Sequence, residues 1–211
     1  MSTDISNYLS EILPYAIGVP HPTAIKAIRN AAIDFCERTK LWKYESTTAV
    51  LATDPATSSL ITPTDSAVFD IEVALFNGFE LMPKAPRDLD VTQRGWRTGD
   101  LGLGNPTYIT QINQNTMTIV PQSSDDGSLY LCLRLKPSQT AATLPDFLID
   151  YAECIGWGAL GRVLSIQAQP YTNPSLATYY AARCNDKINT LSRKGTTGQQ
   201  NAVKRNKSSF F

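Results

Sequence analysis

The stretch that decides the fold is residues 24–42, AIKAIRNAAIDFCERTKLW. Its apolar side chains recur every three to four positions and its charged side chains lie largely between them, as in a helix that buries one face. From about Lys43 the apolar side chains alternate with polar ones, which is the pattern of a β-strand. The sequence therefore predicts an amphipathic helix that leads directly into β-structure. The apolar stripe of this helix consists of Ile25, Ile28, Ala32, Phe35 and Cys36.

The alternating pattern continues through three further segments. Residues 68–76, VFDIEVALF, are followed by Asn77 and Gly78, the strongest short-range hairpin signal, because both turn residues accept positive φ. Residues 108–120, YITQINQNTMTIV, contain a second hairpin pattern around a polar turn. Residues 129–136, LYLCLRLK, place four leucines on one face. Such short links cannot make parallel crossovers, so this region is predicted to be antiparallel.

Helical periodicity flanks the β region on both sides. A short helix is predicted over residues 5–13, and the helical period returns after Leu144 and continues to about residue 166. A last helix is predicted from the Asn173-Pro174 cap to about Ser192, with Gly195 just past its end. Glycine inside a helix costs up to about 1 kcal/mol relative to alanine, so glycines in the third helix indicate either close approach of another backbone or a kink. These are Gly156, Gly158 and Gly161.

The predicted fold class is α+β. It consists of an α-helical bundle from the N- and C-terminal helices, an antiparallel β-rich insertion and an extended C-terminal arm. The predicted boundaries are 1–42 and 145–192 for the helices of the bundle, 43–144 for the β-rich insertion and 193–211 for the arm. The residues expected to pack the helices together are Ile28, Phe35, Trp42, Tyr151, Ile155, Gly158 and Tyr180.

Charge is unevenly placed along the 211 residues, although the net charge is zero. Residues 193–211 contain five basic side chains and no acidic one, whereas residues 1–192 contain 14 basic and 19 acidic side chains. An acidic body argues against a general nucleic-acid binder, while a basic arm is suited to an acidic partner. No signal peptide and no membrane span is predicted. The four cysteines are widely spaced in apolar segments, which predicts buried free thiols in a reducing compartment.

Catalytic and cofactor motifs are weak. His21, the only histidine, lies between two prolines and is interpreted as a loop residue, and no cofactor is predicted. Asp70 and Glu72 share one strand face, so a carboxylate-only metal site stays open, although alternation of an exposed face is the simpler interpretation. Aromatic residues could form stacking platforms, but at helical spacing they are more typical of a core or a subunit interface. These are Trp42, Tyr44, Trp96, Tyr151, Trp157, Tyr179 and Tyr180.

Three stretches together resemble head-to-tail adaptor (connector or neck) proteins of tailed bacteriophages. Residues 27–45, AIRNAAIDFCERTKLWKYE, resemble the second helix of these proteins. Residues 106–151, from PTYITQINQNTMTIVPQ to LYLCLRLKPSQTAATLPDFLIDY, resemble their β meander and the helix start after it. Residues 155–188, IGWGALGRVLSIQAQPYTNPSLATYYAARCNDKI, resemble their closing helix pair. Residues 50–105 depart most from the family pattern.

The resemblance implies a structural virion protein of the neck, made in the host cytoplasm, rather than an enzyme. Such adaptors form a ring, a dodecamer in the family, under the portal protein, retain the genome and dock a tail or nozzle protein. Contact with packaged DNA in the channel is a further implication, and no membrane is involved. The alternatives are a tail-terminator or other tail subunit and, with less support, a nucleic-acid-binding protein or enzyme.

The basic arm is the predicted partner-binding site. Its cations are expected to meet acidic groups on the portal or a neighbouring subunit, and two aromatic rings are expected to fill an apolar pocket there. Ordering the backbone costs about 1–2 kcal/mol per residue, so the rings must offset much of that cost. The alternative is that the arm stays solvated. The residues expected to bind are Lys204, Arg205, Lys207, Phe210 and Phe211.

Overall fold

The computed structural model of the chain describes residues 2–197, with side chains through residue 195. Within that range the structure alternates between helical and β segments in the order that the hydrophobic periods indicate. The α-helices are α1 (His21–Thr39), α2 (Pro86–Thr92), α3 (Ala152–Leu164) and α4 (Pro174–Thr197), and Ile5–Glu11 and Asp146–Tyr151 form 3-10 helices.

The strands are short except for three. Those three are β2, β4 and β11, and they belong to the same sheet. The strands are β1 (Ser2–Asp4), β2 (Lys43–Val50), β3 (Thr57–Ser59), β4 (Ser66–Phe76), β5 (Phe79–Glu80), β6 (Met82–Pro83), β7 (Leu103–Gly104), β8 (Tyr108–Thr110), β9 (Thr116–Val120), β10 (Gln122–Ser123), β11 (Gly127–Pro137) and β12 (Thr143–Pro145).

The chain folds into two compact units. The helix-rich unit contains the described residues up to Trp42 and from Lys136 onward, and the β-rich unit is Lys43–Leu135. Each unit has its own set of buried apolar side chains. The α3 helix and the α4 helix pack on each other and on α1, which brings the two ends of the sequence into one unit.

The predicted fold class is wrong and is corrected to mixed α+β without a purely helical bundle. The helix-rich unit also contains an antiparallel pair of strands, β1 and β12, and two 3-10 helices. The β-rich unit contains parallel pairs and the helix α2, so it is not a purely antiparallel insertion. The last helix is longer than its period predicts, since α4 continues through Thr197.

Glycines allow the three long helices to approach closely. A Cβ on Gly158 would lie 3.1 Å from Cys184 Sγ on α4 and 3.2 Å from Ala31 Cβ on α1. A Cβ on Gly161 would lie 3.2 Å from Ala181 Cβ on α4. Because α3 runs without interruption through both positions, the glycines serve helix packing rather than a kink. The largest fully buried side chains of the unit are Ile5, Tyr8, Ile12, Ile28, Phe35, Leu144 and Leu148.

Both predicted hairpins are present in the β-rich unit. Strands β4 and β5 pair antiparallel around Asn77 and Gly78, whose φ values of 50° and 83° suit the tight turn. Strands β8 and β9 pair antiparallel with Ile109 opposite Ile119. The leucine face of β11 is buried, as its alternation predicts. These leucines are Leu129, Leu131, Leu133 and Leu135, each at most 4% exposed.

Parallel pairing arises where a long connection replaces a tight turn. Strand β6 pairs parallel with β8, with Met82 opposite Tyr108, and α2 lies in the connection between them. A parallel pair needs such a crossover, and residues 84–107 show no clear helical period that would predict one. Strand β7 pairs parallel with β10 on either side of the β8–β9 hairpin. The α2 helix buries Leu89 against Trp96 and Val120.

Both faces of β4 are partly covered, and its two fully buried side chains lie on the face that carries Asp70 and Glu72. Ala74 and Phe76 are 4% and 2% exposed, whereas Phe69 is 39% exposed. The ring of Phe76 fills the space where Gly127 lacks a side chain. Glu72 shares the face of Ala74 and Phe76, because side chains two apart point the same way along a strand.

Candidate functional site

The base of the predicted arm is the last turn of α4. Asn173 caps the start of this helix, since its Oδ1 accepts a hydrogen bond of 3.1 Å from the Leu176 amide. Gly195 lies inside the helix rather than past its end, and a Cβ at this position would overlap the carbonyl oxygen of Thr39. Thr39 is fully buried at the end of α1, where its hydroxyl donates to the Phe35 carbonyl at 2.7 Å. The close approach at Gly195 therefore fixes the last described turn of α4 against the end of α1.

The predicted binding residues of the arm itself lie outside the described residues. These are Lys204, Arg205, Lys207, Phe210 and Phe211. Their role stays a prediction, and the last residue that the structure describes before them is Thr197.

The structure places the predicted helix-packing residues at or beside one core. Ile28, Phe35 and Ile155 are at most 1% exposed. Trp42, Tyr151 and Tyr180 are partly buried and pack against that core. The Phe35 and Tyr151 rings lie 5.1 Å apart. The Trp42 and Phe147 rings lie 6.4 Å apart, edge to face.

A row of partly or largely exposed aromatic rings and one arginine crosses the helix-rich unit. We call this row, Tyr15, Trp157, Tyr179, Tyr180 and Arg183, the aromatic–arginine surface. The Tyr180 ring lies 5.8 Å from that of Tyr15 and 5.3 Å from that of Tyr179. The Arg183 guanidinium lies 4.2 Å from the Trp157 ring and 5.8 Å from the Tyr179 ring. Tyr15 and Tyr179 are more than half exposed.

Sequence reasoning found only part of this surface. Trp157, Tyr179 and Tyr180 were candidates as aromatic residues at helical spacing, whereas Tyr15 and Arg183 were not. Tyr179 and Arg183 are four residues apart on α4, a spacing that brings side chains together, and this is the signal that could have found the arginine. Tyr15 follows a helix in a segment with no periodicity, so only the tertiary structure brings it to Tyr180.

The candidate carboxylates Asp70 and Glu72 are paired with cationic side chains of the neighbouring strands. Arg134 donates to Asp70 Oδ2 at 2.9 Å, and its other terminal nitrogen lies 3.1 Å from Glu72 Oε1. Lys43 donates to the same Glu72 oxygen at 2.8 Å. Lys43, Arg134 and Glu72 belong to the neighbouring strands β2, β11 and β4. This row of charges across the sheet has the arrangement of a structural ion-pair cluster.

We predict that Glu72 stabilises the β-rich unit in a pH-dependent way. Burial alone would raise the pKa of Glu72, but hydrogen bonds and charge from Lys43 and Arg134 outweigh burial and lower it. An unfolded glutamate has a pKa of about 4.3, so the contribution of the carboxylate is fully present above that pH. It is lost as the pH falls through the lowered folded-state pKa.

The variant Glu72→Gln should lose about 1–3 kcal/mol of unfolding free energy at pH 7, because two cations lose their charged acceptor. Urea denaturation at pH 7 and at pH 2 measures this difference. The difference between the variant and the parent should be smaller at pH 2 than at pH 7, because the contribution of the carboxylate is lost as the pH falls through its lowered folded-state pKa. Glu80→Gln, an exposed change on β5, is the matched control and should follow the parent at both values. A difference between Glu72→Gln and the parent that is the same at both pH values would contradict the role of the charge.

The groups that could perform nucleophilic or metal chemistry are dispersed. His21 is exposed at the first residue of α1, and within residues 2–197 it makes no hydrogen bond to a serine, cysteine or carboxylate. Burial raises the pKa of Cys36 and Cys132, and hydrogen bonding to Cys184 followed by burial raises that of Cys154. Protonated buried thiols are poor nucleophiles. No group of three or more metal-ligating side chains occurs among the described residues.

The four cysteines are free and buried, as the sequence predicts. Cys154 and Cys184 face each other between α3 and α4 with their sulfur atoms 4.0 Å apart. Cys184 fills the space beside Gly158, and both thiols act as small apolar side chains between the helices.

Comparison with protein families identifies the kind of protein to which this arrangement belongs. The family model described as "SU10 adaptor protein" matches residues 2–205, a range that covers both units and most of the predicted arm. The chain belongs to the SU10 adaptor protein family. A search of curated proteins found no match.

Membership of the SU10 adaptor protein family confirms the resemblance to phage head-to-tail adaptors. The chain is thus a structural adaptor protein of a bacteriophage and a component of the virion. Among residues 2–197, none of the helices combines the length and the apolar character needed to cross a lipid bilayer. For an SU10 adaptor the surfaces that bind other proteins, rather than an active site, are the functional features to explain.

Proposed function

We propose that this SU10 adaptor forms a ring under the portal, links the DNA-filled capsid to the tail and helps to retain the genome. The observation that carries this proposal is the family match over residues 2–205. Because that match includes the β-rich unit and residues beyond α4, the proposal applies to the whole chain rather than to its helices alone.

The ring is proposed as a closed assembly of identical chains, with twelve copies as in the phage adaptors that the sequence resembles. In such a ring each chain contacts the next through two different surfaces, and closure adds the same contact many times. The exposed apolar side chains of the described chain are suited to such contacts. Ile17 and Phe79, for example, are 80% and 72% exposed.

The arm is proposed to attach the ring to the portal or to a neighbouring chain. Lys204, Arg205 and Lys207 provide three positive charges, and Phe210 and Phe211 provide apolar area. Burying a phenylalanine contributes about 1.5–3 kcal/mol, so two rings offset part of the entropy lost when the segment is ordered. The cations direct the arm toward an acidic surface, and the rings supply the affinity.

We predict that replacing both rings, Phe210→Ala with Phe211→Ala, weakens binding to the isolated portal by about 100-fold, because the loss of buried area removes several kcal/mol. The fold should be unchanged, since the substitutions alter none of the core residues of the described chain. Binding of the purified adaptor to immobilised portal measures this change, and the melting temperature checks the fold.

The matched control is Ser208→Ala with Ser209→Ala, which alters the same segment without removing a ring and should bind like the parent. Equal affinity of the phenylalanine variant and the parent would contradict the role of the arm. Failure of the parent itself to bind portal, with binding to tail-tube protein instead, would contradict the adaptor function and favour the tail-terminator alternative.

A further inference from the structure

The aromatic–arginine surface has the composition of a protein interface and no occupant within the described chain. Tyrosine, tryptophan and arginine are the residue types that dominate binding energy at interfaces. Tyr15 and Tyr179 are 57% and 51% exposed. On α4, Leu176 lies one helical turn before Tyr179 and is 40% exposed, which extends the apolar area.

Contacts within the surface hold its side chains in place before any partner binds. The Tyr180 ring contacts both Tyr15 and Tyr179, and Arg183 lies over Trp157 and donates to the Tyr179 hydroxyl at 3.2 Å. Side chains that are already ordered lose less entropy on binding, so such a row binds more tightly than the same residues would if they were mobile.

Arg183 determines the charge that a partner must carry. Within the part of the chain that the structure describes, this guanidinium has no carboxylate at ion-pair distance, and its one hydrogen bond is to a neutral hydroxyl. A guanidinium has further donors in a planar fork that suits a carboxylate. Lys187 and Asp186 lie in the same shallow depression, of about 370 Å³, beside Arg183 and Trp157. The surface therefore suits a partner with acidic and apolar side chains.

The β-rich unit of this chain is acidic, as such a partner must be. The β-rich unit, Lys43–Leu135, has 11 acidic and 6 basic side chains, whereas the described helix-rich unit has 8 acidic and 10 basic ones. The two units thus have opposite net charge. Complementary charge of this kind favours contact between different units of two copies and disfavours contact between two like units.

We propose that the aromatic–arginine surface of one chain binds the acidic β-rich unit of a second copy, and that Arg183 pairs with a carboxylate there. This inference rests on the proposed ring and identifies one side of its repeating contact. Because the two surfaces differ, the contact is head-to-tail, which is the type that generates a closed ring.

Photochemical cross-linking in assembled particles tests the identity of the partner. The photoreactive residue p-benzoylphenylalanine is placed at Leu176, at the edge of the surface, and particles that contain the adaptor are irradiated. We expect a product of two adaptor chains whose cross-linked peptide lies within residues 43–135. Cross-links only to portal or tail protein, or to the helix-rich unit of the second chain, would overturn this inference and leave the proposed ring function intact. Absence of the adaptor from particles would overturn both.

Charge reversal at Arg183 tests the role of the guanidinium. Arg183→Glu should weaken reconstitution of the adaptor onto portal-containing capsids by about 30-fold, while Arg183→Lys should lose less because it keeps the charge. Lys26→Glu, an exposed reversal on α1 of the same unit, is the matched control and should assemble like the parent. Melting temperatures of all variants should agree, since both sites are exposed. Equal loss for Arg183→Glu and Lys26→Glu would show that only the net charge of the unit matters and would overturn the assigned contact.

Discussion

Phe35→Ala is expected to lower the unfolding free energy of the helix-rich unit by about 3–5 kcal/mol, the range for removing a buried aromatic ring. Phe35 is 1% exposed on α1, and its ring lies 5.1 Å from the ring of Tyr151 in the turn that precedes α3. Its removal leaves a cavity at the junction of the first and the closing helices. Chemical denaturation followed by far-ultraviolet circular dichroism measures the loss.

The matched control for this change is Phe79→Ala on β5, where the ring is 72% exposed. The same atoms are removed, but no cavity forms, so the expected change is within about 0.5 kcal/mol. Similar losses for the two variants would show that Phe35 does not occupy a packed core. Such a result would remove the basis for joining residues from both ends of the sequence in one unit.

Gly195→Ala is expected to destabilise the docking of α4 on α1 by about 1–3 kcal/mol, as overpacking of a tight contact does. In an exposed helix the same change would stabilise by up to about 1 kcal/mol. Here the added methyl group overlaps the Thr39 carbonyl oxygen, a backbone atom that cannot rotate away. This overlap therefore makes the change in the free energy of unfolding a loss rather than a gain. Amide hydrogen exchange in the last two turns of α4, together with the melting temperature, measures the change.

Lys194→Ala is the control for this second prediction, because Lys194 is the exposed neighbour of Gly195 on the same helical turn. It should leave hydrogen exchange and melting temperature close to those of the parent. If Gly195→Ala instead raised the melting temperature, the last turn of α4 would not contact Thr39.

The elements that the sequence predicted well are those whose information is local. The recurrence of apolar side chains every three to four positions in residues 24–42 is sufficient to predict α1. A helix that buries one face can be recognised without knowledge of distant contacts. The hairpin at Asn77 and Gly78 depends on two turn residues with positive φ, and the buried face of β11 depends on simple alternation. In each case one segment of the chain carries the whole signal.

The features that the sequence did not predict depend on distant partners. Gly195 has the signature of a helix-terminating glycine, and only the position of Thr39, far away in the sequence, shows that it lies within α4. The ion pairs of Glu72 on β4 also depend on distant residues, since Lys43 and Arg134 lie on two neighbouring strands. The parallel pairing of β6 with β8 likewise needs a crossover that no local pattern announces.

The candidate binding residues likewise fall into those that the sequence shows locally and those that only the tertiary structure brings together. The basic and aromatic residues of the arm are visible in the sequence, whereas the aromatic–arginine surface is assembled from a loop, α3 and α4. Tyr15 becomes part of it only because the first and last parts of the chain share one unit. Because the residues of such an interface come from separate segments, no regular spacing in the sequence predicts it, and the structure is needed to find it.

The most direct test of the central claim is a cryo-electron microscopy reconstruction of the neck of the intact particle, without imposed symmetry along the tail axis. We expect a ring of twelve copies of this chain directly beneath the portal, with residues 198–211 of each copy ordered against portal or a neighbouring chain. The aromatic–arginine surface of each copy should face the β-rich unit of the next. Density for this chain only in the tail tube or at the tail tip, with a different protein beneath the portal, would contradict the account.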